Sequence, residues 1–204
     1  SLQLSAGYNF SPSFKLGILG ENRIHSDSRK IEINQASTST VLLYSRYVPE
    51  DKIIIAPFGG LTSNRQVGEV DDGYMYGAEA FLDNYQTSDF TVYSELKFKN
   101  EDIAPRKNLL RYFNSGLINN FNTEVSNHIS FSYSQNRKDF YSEADSLTSI
   151  EFNVNNNIQS RSEINYLVQE ALYFKNIFEL LSFDLLGKIG WRTIDRDRRY
   201  RRSQ

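Results

Sequence analysis

Charged and hydroxyl-bearing side chains in this chain recur at every second position. In Phe90–Lys99 the odd positions carry Thr, Tyr, Glu, Lys and Lys, and Phe14–Ile24 carries a similar charged set. Because side chains alternate between the faces of a β-strand, these groups are expected to share one wet face. Such a face can line a channel, where mixed charges orient solutes, or it can pair across neighbouring strands. The candidate solute-contact residues are Lys15, Glu21, Arg23, Tyr93, Glu95, Lys97, Lys188 and Arg192.

One pair of residues has the spacing of a hydrolytic site. His128 and Ser130 lie two apart, so a strand would place them on one face. A histidine needs an acceptor partner to activate a serine hydroxyl, and Asn153 or Asn155 could be offered as the third group. No oxyanion donor or flanking motif accompanies the pair. The sequence therefore favours a polar histidine on a polar face and predicts no catalytic residue.

Metal sites and anion sites have weak support. Asp71 and Asp72 could contribute to a calcium site on an exposed loop, but their surroundings lack the alternating ligands of an EF-hand. Two histidines and no cysteine argue against a zinc site, so we expect neither metal nor cofactor. The run Asp195–Arg202 could hold lipopolysaccharide phosphates or an acidic solute. A solvated loop or the start of a lumen-facing strand is the simpler interpretation.

The elements that would position these groups are strands with alternating apolar and polar residues. In Leu181–Trp191, for example, the apolar residues fall on odd positions, and Leu181, Phe183, Leu185, Ile189 and Trp191 are predicted to face lipid. Twelve strands are predicted: Leu2–Phe10, Phe14–Ile24, Lys30–Gln35, Thr40–Val48, Lys52–Phe58, Gly73–Leu82, Phe90–Lys99, Asn108–Leu117, Val125–Ser134, Ser149–Asn155, Glu163–Phe174 and Phe178–Arg192.

Turn-forming residues separate these strands at regular intervals, which favours a meander of sequential antiparallel strands. Two segments also permit a helix. Leu109, Phe113, Leu117 and Phe121 lie four apart, and the second segment has helical spacing at Ile164, Leu167, Val168, Ala171, Leu172 and Phe178. Their Tyr and Phe content and the flanking alternation favour strands. The predicted turns are 11–13, 25–28, 49–51, 71–73, 84–89, 100–105, 135–138 and 175–176.

Composition agrees with an all-β chain. The net charge is -2 with a pI of about 5.8, so no general attraction to nucleic acid is implied. Phe and Tyr, at 14 and 13 residues, favour strands, and Tyr also suits a membrane–water boundary. The longest apolar stretch, Ile53–Phe58, is too short to cross a bilayer as a helix. We expect one continuous domain over residues 1–204.

Leu2–Phe10, Phe90–Lys99, Val125–Ser134 and Leu181–Arg192 resemble strands of bacterial outer-membrane β-barrels, including porins and TonB-dependent receptors. The resemblance implies an antiparallel up-and-down meander forming a transmembrane β-barrel or part of its wall. It also implies transport of small solutes across the outer membrane of a Gram-negative bacterium, with no enzymatic activity. The chain lacks a terminal aromatic residue and a plug or energy-coupling box, and its strands are few, all of which suits an excerpt of a larger barrel.

Two alternatives remain from the sequence. A soluble or surface-exposed β-sandwich binding module would bury the apolar faces against each other. A barrel-borne lipid hydrolase would use His128 and Ser130, which resemble the His-x-Ser pair of the outer-membrane phospholipase family. The expected partners of a transport barrel are membrane lipids or lipopolysaccharide, small solutes, and a plug domain or energy-coupling protein outside this segment.

Overall fold

The computed structural model describes residues 1–25, 36–66, 69–141, 157–177 and 181–200. These residues form strands joined by short turns, and no helix among them is long and apolar enough to cross a membrane. The strands are β1 (Leu2–Ser11), β2 (Phe14–His25), β3 (Ala36–Glu50), β4 (Ile53–Gln66), β5 (Glu69–Gln86), β6 (Phe90–Ile103), β7 (Arg106–Asn120), β8 (Val125–Tyr141), β9 (Asn157–Ile177) and β10 (Leu181–Tyr200).

The ten strands lie in one antiparallel sheet in chain order, β1 to β10. The expected all-β, up-and-down meander is therefore confirmed. The sheet has two edges, because β1 pairs with β2 and β10 pairs with β9 without β1 pairing to β10. A closed barrel is not formed by the described residues, which build an open wall.

Cross-strand register assigns every strand to the same two faces. Ala6 pairs with Ile18, Ile18 with Leu43, and this row belongs to what we call the apolar face. Glu95 pairs with Phe81 and Asn114 on the opposite side, which we call the polar face. All four register shifts fall at the end of the sheet where β1–β2, β3–β4, β5–β6 and β9–β10 are joined. The ladders between these points are continuous, so the two faces do not exchange.

Aromatic residues form two rows across the apolar face. On β10 the rows are represented by Phe183 and Trp191, which are eight residues, or about 27 Å, apart along the strand. We call the aliphatic surface between the rows the apolar band. The first row contains Phe10, Phe14, Tyr47, Tyr85, Phe90, Phe174 and Phe183. The second row contains Tyr74, Tyr76, Tyr133, Tyr166 and Trp191.

Beyond the second aromatic row the same face becomes polar. On β10, for example, Trp191 is followed by Thr193 and Asp195 at the next two positions of that face. The change occurs on most strands, so a polar border lies beside the apolar band. The first polar residues past it include Asn22, Ser39, Ser63, Asp72, Asn100, Gln135 and Asp195.

Burial is inverted relative to a water-soluble domain. Within the described residues only five apolar side chains are buried, whereas seven polar or charged ones are. Apolar-face residues remain open to solvent, and Leu4 and Ile189 are 68% and 62% exposed. The buried apolar residues are Met75, Ile103, Tyr141, Ile158 and Ala171, and the buried polar ones are Thr40, Thr62, Asp71, Glu101, Arg106, Asp139 and Ser160.

The sheet curls toward its polar face. On that face Arg106 of β7 donates to Asn64 Oδ1 of β4 at 2.8 Å, and the Thr62 hydroxyl of β4 donates to Glu101 of β6 at 3.3 Å. In a flat sheet β7 and β4 would lie about 14 Å apart, three strand spacings of about 4.8 Å. The curl buries polar side chains and leaves the apolar face convex.

Three aromatic residues on the polar face lie opposite glycines of the next strand. Tyr44 pairs with Gly17, Phe58 with Gly77 and Tyr93 with Gly116. A Cβ added at Gly17 would stand 2.5 Å from the Tyr44 hydroxyl and 2.7 Å from the Ala6 carbonyl oxygen. The glycines let these rings lie flat on the neighbouring backbone, which fills the concave side of the sheet.

Most of the predicted strands are confirmed, including the two that could have been helices, which lie in β7 and β9. The predicted strands Lys30–Gln35 and Ser149–Asn155 lie wholly outside the described residues. β10 runs to Tyr200, so the first part of the Asp195–Arg202 charge run is strand. Residues 201–204 are outside the described chain.

Several predicted turns are wrong because the strands continue through them. Residues 71–73 lie inside β5, 135–138 inside β8, and 175–176 inside β9. The turn predicted at 100–105 shrinks to Ala104 and Pro105, which are joined by a cis peptide bond. Asn84, in the turn predicted at 84–89, has a φ of 44° and lies at a register shift of β5. It therefore marks a bulge within the strand and not a turn. In these segments, hydrogen bonds to neighbouring strands hold turn-forming residues in an extended conformation.

Replacing a glycine under an aromatic ring is expected to destabilise the sheet. Gly17→Ala places its Cβ against both a ring and a backbone oxygen, so we expect the free energy of unfolding to fall by about 1–3 kcal/mol. Gly20→Ala, on the same strand but on the open apolar face, should change it by less than about 0.5 kcal/mol. Denaturant unfolding of both variants in detergent measures the difference, and equal losses would contradict the steric role.

Candidate functional site

The polar face contains the eight predicted solute-contact residues. Register places Lys15, Glu21 and Arg23 of β2 on the same face as Tyr93, Glu95 and Lys97 of β6. Lys188 and Arg192 of β10 belong to it through their pairing with Gln169 and Asn165. Phe183, Leu185, Ile189 and Trp191 lie on the opposite, apolar face, with Leu181 next to the register shift that begins β10. The two predicted sets are therefore separated by the sheet.

Most of these charges have a partner. Arg23 Nε lies 2.6 Å from Glu21, and Lys97 Nζ lies 2.7 Å from Glu95. These pairs join neighbours two apart on one strand, whereas the sequence suggested pairing between strands. Arg192 does pair across a strand, at 3.0 Å from Glu163. The polar face therefore presents closely spaced charges of both signs.

Aromatic groups stand beside these ion pairs. Lys97 Nζ lies 5.8 Å from the ring centroid of Phe81 and 5.9 Å from that of Tyr112. Tyr93 crosses Gly116 and places its hydroxyl 2.9 Å from Nε2 of His128. The face between β5 and β8 thus offers ring surfaces as well as charges to anything that contacts it.

The histidine of the possible nucleophilic pair is hydrogen-bonded to a tyrosine. The Nε2 atom of His128 contacts Tyr93, and Ser130 lies on the ladder between Gly116 and Gln169. Asn153 and Asn155 lie outside the described residues. The described residues therefore do not show a catalytic arrangement, and the lipid hydrolase stays a prediction.

A buried cluster around Arg106 was not predicted. Arg106 begins β7 and is 2% exposed. Its Nε donates to Asp71, Nη1 donates to Gln66 at 2.8 Å, and Nη2 donates to Asn64 Oδ1 at 2.8 Å. Its guanidinium carbon lies 4.9 Å from the Tyr141 ring centroid. One arginine thereby links β4, β5, β7 and β8.

A second polar group continues from this cluster toward β9. β8 stops pairing with β7 after Arg137, and Asp139 accepts hydrogen bonds from Arg137 Nε at 3.0 Å and Ser160 at 2.7 Å. The backbone N–H of Lys107 also donates to Asp139, at 3.1 Å. The Asp139 N–H in turn donates to Asn108. The end of β8 is therefore fastened across the start of β7.

These contacts shift two pKa values beyond the second aromatic row. Burial, the hydrogen bond to Asp71 and the negative charge of Asp71 raise the pKa of Tyr141 to about 12. Burial alone would raise the pKa of Asp139. The hydrogen bonds from Arg137, Ser160 and the Lys107 backbone outweigh burial and hold that pKa below its usual range. Tyr141 is therefore a neutral donor and Asp139 an ionised acceptor near neutral pH.

The structure separates the two carboxylates proposed as calcium ligands. Asp71 lies on the polar face with Arg106, whereas Asp72 pairs with Ser63 on the opposite face. Adjacent residues of a strand point to different faces, so the pair does not share one ion. Among the residues that the structure describes, no group of His, Cys, Asp or Glu is arranged to hold a metal.

No local sequence signal identifies the Arg106 cluster. Its members come from four strands, and Arg106 and Asp71 are 35 residues apart. Pro105 beside Arg106 marks the turn, but it gives no indication that the arginine is buried. Only the pairing of β4 through β8 brings these groups together.

Comparison of the chain with protein-family models, with curated proteins and with solved structures finds no match.

Removing the Arg106 guanidinium is expected to be severely destabilising. Arg106→Met leaves the buried Asp71 carboxylate without its cation, which should cost about 3–5 kcal/mol of unfolding free energy. The exposed Arg65, replaced by Met, is the control and should lose less than about 0.5 kcal/mol. Unfolding midpoints of the two variants test this, and a loss for Arg106→Met no larger than for Arg65→Met would show that the cluster is not stabilising.

Proposed function

We propose that this chain forms the wall of an outer-membrane β-barrel that takes part in the transport of small solutes in a Gram-negative bacterium. It would be part of a porin or of the barrel of a receptor. The observation that carries the proposal is the convex apolar face bounded by two aromatic rows. Its concave counterpart is polar and carries charges of both signs.

The apolar face has the dimensions of a lipid-contacting surface. At a strand tilt of about 40°, the 27 Å between the aromatic rows corresponds to a band about 20 Å high, close to the roughly 25 Å of outer-membrane barrels. Exposed apolar surface of this extent is stable only where lipid or protein covers it. Aromatic residues at both borders suit the two membrane interfaces.

Cations beyond the second aromatic row support contact with lipopolysaccharide. Arg65, Lys107 and Arg111 are exposed and belong to the same face as the apolar band, on its polar side. Guanidinium and ammonium groups at that height can bind lipid phosphates. This gives lipopolysaccharide a binding region other than the Asp195–Arg202 run suggested by the sequence.

Connection lengths give the barrel an orientation. At the first aromatic row the strands are joined by two to four residues, at 12–13, 51–52, 87–89, 121–124 and 178–180. At the other end two connections are long, 26–35 and 142–156. Outer-membrane barrels have short periplasmic turns and longer outer loops, so the first aromatic row belongs on the periplasmic side. The polar cluster around Arg106 then lies toward the cell exterior.

The alternative of a β-sandwich lacks its second layer. A sandwich requires two sheets whose apolar faces meet about 10 Å apart. The described strands form one sheet, and their apolar face is exposed. Contact with membrane lipid therefore accounts for the exposed apolar face better than contact with a second sheet does.

The single tryptophan tests whether lipid covers the apolar face. Trp191 is 59% exposed in the second aromatic row, so we expect nitroxide lipids to quench its fluorescence in vesicles. A label near the acyl carbonyl should quench more than one near the chain end. The control is Trp191→Phe with Tyr112→Trp on the polar face, which should respond to aqueous iodide and not to lipid. A chain that stays soluble and monomeric without detergent would exclude the proposal.

Charge reversal on the polar face tests transport. Lys188→Glu adds negative charge to the proposed lumen, so the permeability of cations relative to anions should rise about two- to fivefold in planar bilayers, by the electrostatics of charged pores. Gly187→Ala, on the adjacent apolar face with open space around its Cβ, should leave selectivity unchanged. Reversal potentials across a salt gradient give both values, and the same selectivity in Lys188→Glu as in the unsubstituted chain would contradict a lumen position.

A further inference from the structure

Four cations lie on the polar face of β8, β9 and β10 beyond the second aromatic row. Lys138 pairs with Arg161, and Arg161 pairs with Arg196, so these three form one line across the strands, which we call the basic row. Arg192 lies four residues before Arg196 on the same face of β10. All four side chains are exposed. Positive charge is therefore concentrated at one place on the face toward which the sheet curls.

The carboxylates nearby do not balance these cations. At the described polar-face positions of β8–β10 beyond the second aromatic row, Glu163 is the one carboxylate. It lies 3.3 Å from Arg161 and 3.0 Å from Arg192, so two arginines share its charge. Asp195 and Asp197 belong to the other side of β10, because they pair with serines on that side of β9. The polar face therefore keeps a net positive charge here.

The basic row places like charges at directly opposed positions of a sheet. Such positions have Cβ atoms about 5 Å apart, so three cations stand within about 10 Å, and like charges opposite each other are destabilising. A bound anion with more than one negative charge would offset this repulsion. Guanidinium groups bind phosphate through two parallel hydrogen bonds, and an ammonium group binds it as a point charge. The basic row is therefore suited to a phosphate group.

The height and the face of the basic row separate it from lipid. Each of its cations is five residues, about 17 Å, along its strand from that strand's aromatic residue in the second row, Tyr133, Tyr166 or Trp191. An odd number of residues places the cation on the opposite side of the strand from the aromatic ring. The basic row thus lies beyond the apolar band and faces away from lipid, so lipid phosphates are not its expected ligand.

The strands that carry the basic row bend into the concave side of the sheet. Tyr141 is on the same side of β8 as Tyr133, because the β8–β9 register is continuous. Its hydroxyl nevertheless donates to Asp71 on the polar face of β5, at 3.0 Å. The backbone N–H of Asp139 donates to Asn108 on the polar face of β7, also at 3.0 Å. The apolar-face side of β8 therefore rests against the polar face of its neighbours.

Burial along β8 and β9 agrees with this bend. Tyr166 is 40% exposed, whereas Ile158, on the same side of β9, is 5% exposed, and its partner Tyr141 is 3% exposed. Lys138 and Arg161, on the opposite side of these strands, remain exposed. The bend thus covers one side of the two strands and turns the basic row toward the centre of the concave space.

We propose that the basic row binds small solutes that carry a phosphate group, an inference that rests on the proposed function. The connection lengths place this end of the sheet toward the cell exterior, so the basic row stands at the outer mouth of the proposed lumen. A phosphate entering there meets Lys138, Arg161 and Arg196 together, and Arg192 lies further along its path. The site would concentrate anionic solutes before they reach the mixed charges of the interior.

Calorimetric titration of the full chain in detergent with inorganic phosphate tests the site. Lys138→Gln combined with Arg196→Gln is expected to weaken binding about tenfold or more, because each change removes a hydrogen bond to a charged group. Arg65→Gln is the matched control: it removes an exposed arginine from the opposite face beyond the same aromatic row, and it should bind phosphate as the unsubstituted chain does. Equal losses in the two variants, or no binding by the unsubstituted chain, would overturn the proposal.

A second measurement does not depend on the variants. A ligand that binds the folded chain raises its unfolding midpoint. Inorganic phosphate should therefore raise the midpoint of the unsubstituted chain more than sodium chloride of equal ionic strength does. The same midpoint in both salts would overturn the proposal. Removing two like charges relieves repulsion, so the double variant is expected to stay folded and to lose the phosphate effect.

Current measurements test whether the site lies on the solute path. Phosphate added to a planar bilayer containing the full chain should decrease the chloride current, and the phosphate concentration that halves the current should rise about tenfold in the double variant. Arg65→Gln should leave that concentration unchanged. The same half-blocking concentration in the double variant and in the unsubstituted chain would overturn the proposal.

The outcomes separate this inference from the proposed function. If lipid quenches Trp191 and the chain conducts ions but does not bind phosphate, the phosphate site is excluded and the membrane wall stands. If the chain binds phosphate through the basic row in detergent but does not enter lipid, the proposed function is excluded, and with it a role of the basic row in solute entry.

Discussion

The register of nine antiparallel ladders is the constraint on which the rest of the structure depends. A shift of one residue in any ladder would carry a whole strand's apolar set to the polar face. The four shifts that do occur lie at one end of the sheet, beyond most of the apolar band. Because the register is continuous between them, ten strands contribute to one apolar surface and one polar surface.

Curvature converts these two surfaces into an outside and an inside. Aromatic rings resting on Gly17, Gly77 and Gly116 fill the concave face, and Arg106 ties four strands together at one end. The resulting interior is polar and internally bonded, whereas the exterior is apolar. Because so few apolar side chains are buried, the stability of the sheet cannot derive from a conventional hydrophobic core.

The sequence was informative about strands and faces and much less so about the site. Alternation identified the opposite faces of Lys188 and Ile189 because a two-residue period is a local property. The wrong turns at 71–73 and 135–138 have a common cause. Their Asp, Gly, Asn and Lys residues favour turns in isolation, but ladders on both sides hold them extended, and Asp71 is neutralised by Arg106. No comparable local signal marks Arg106, because the groups around it come from four strands.

By itself, the amino-acid order determined that this protein is made of antiparallel strands with one apolar and one polar side, because that pattern follows from the geometry of a strand. The tertiary structure decided which strands are neighbours, how far each runs, and how the sheet bends. It also decided which charges are buried. Those features depend on contacts between residues tens of positions apart, and no local pattern encodes them.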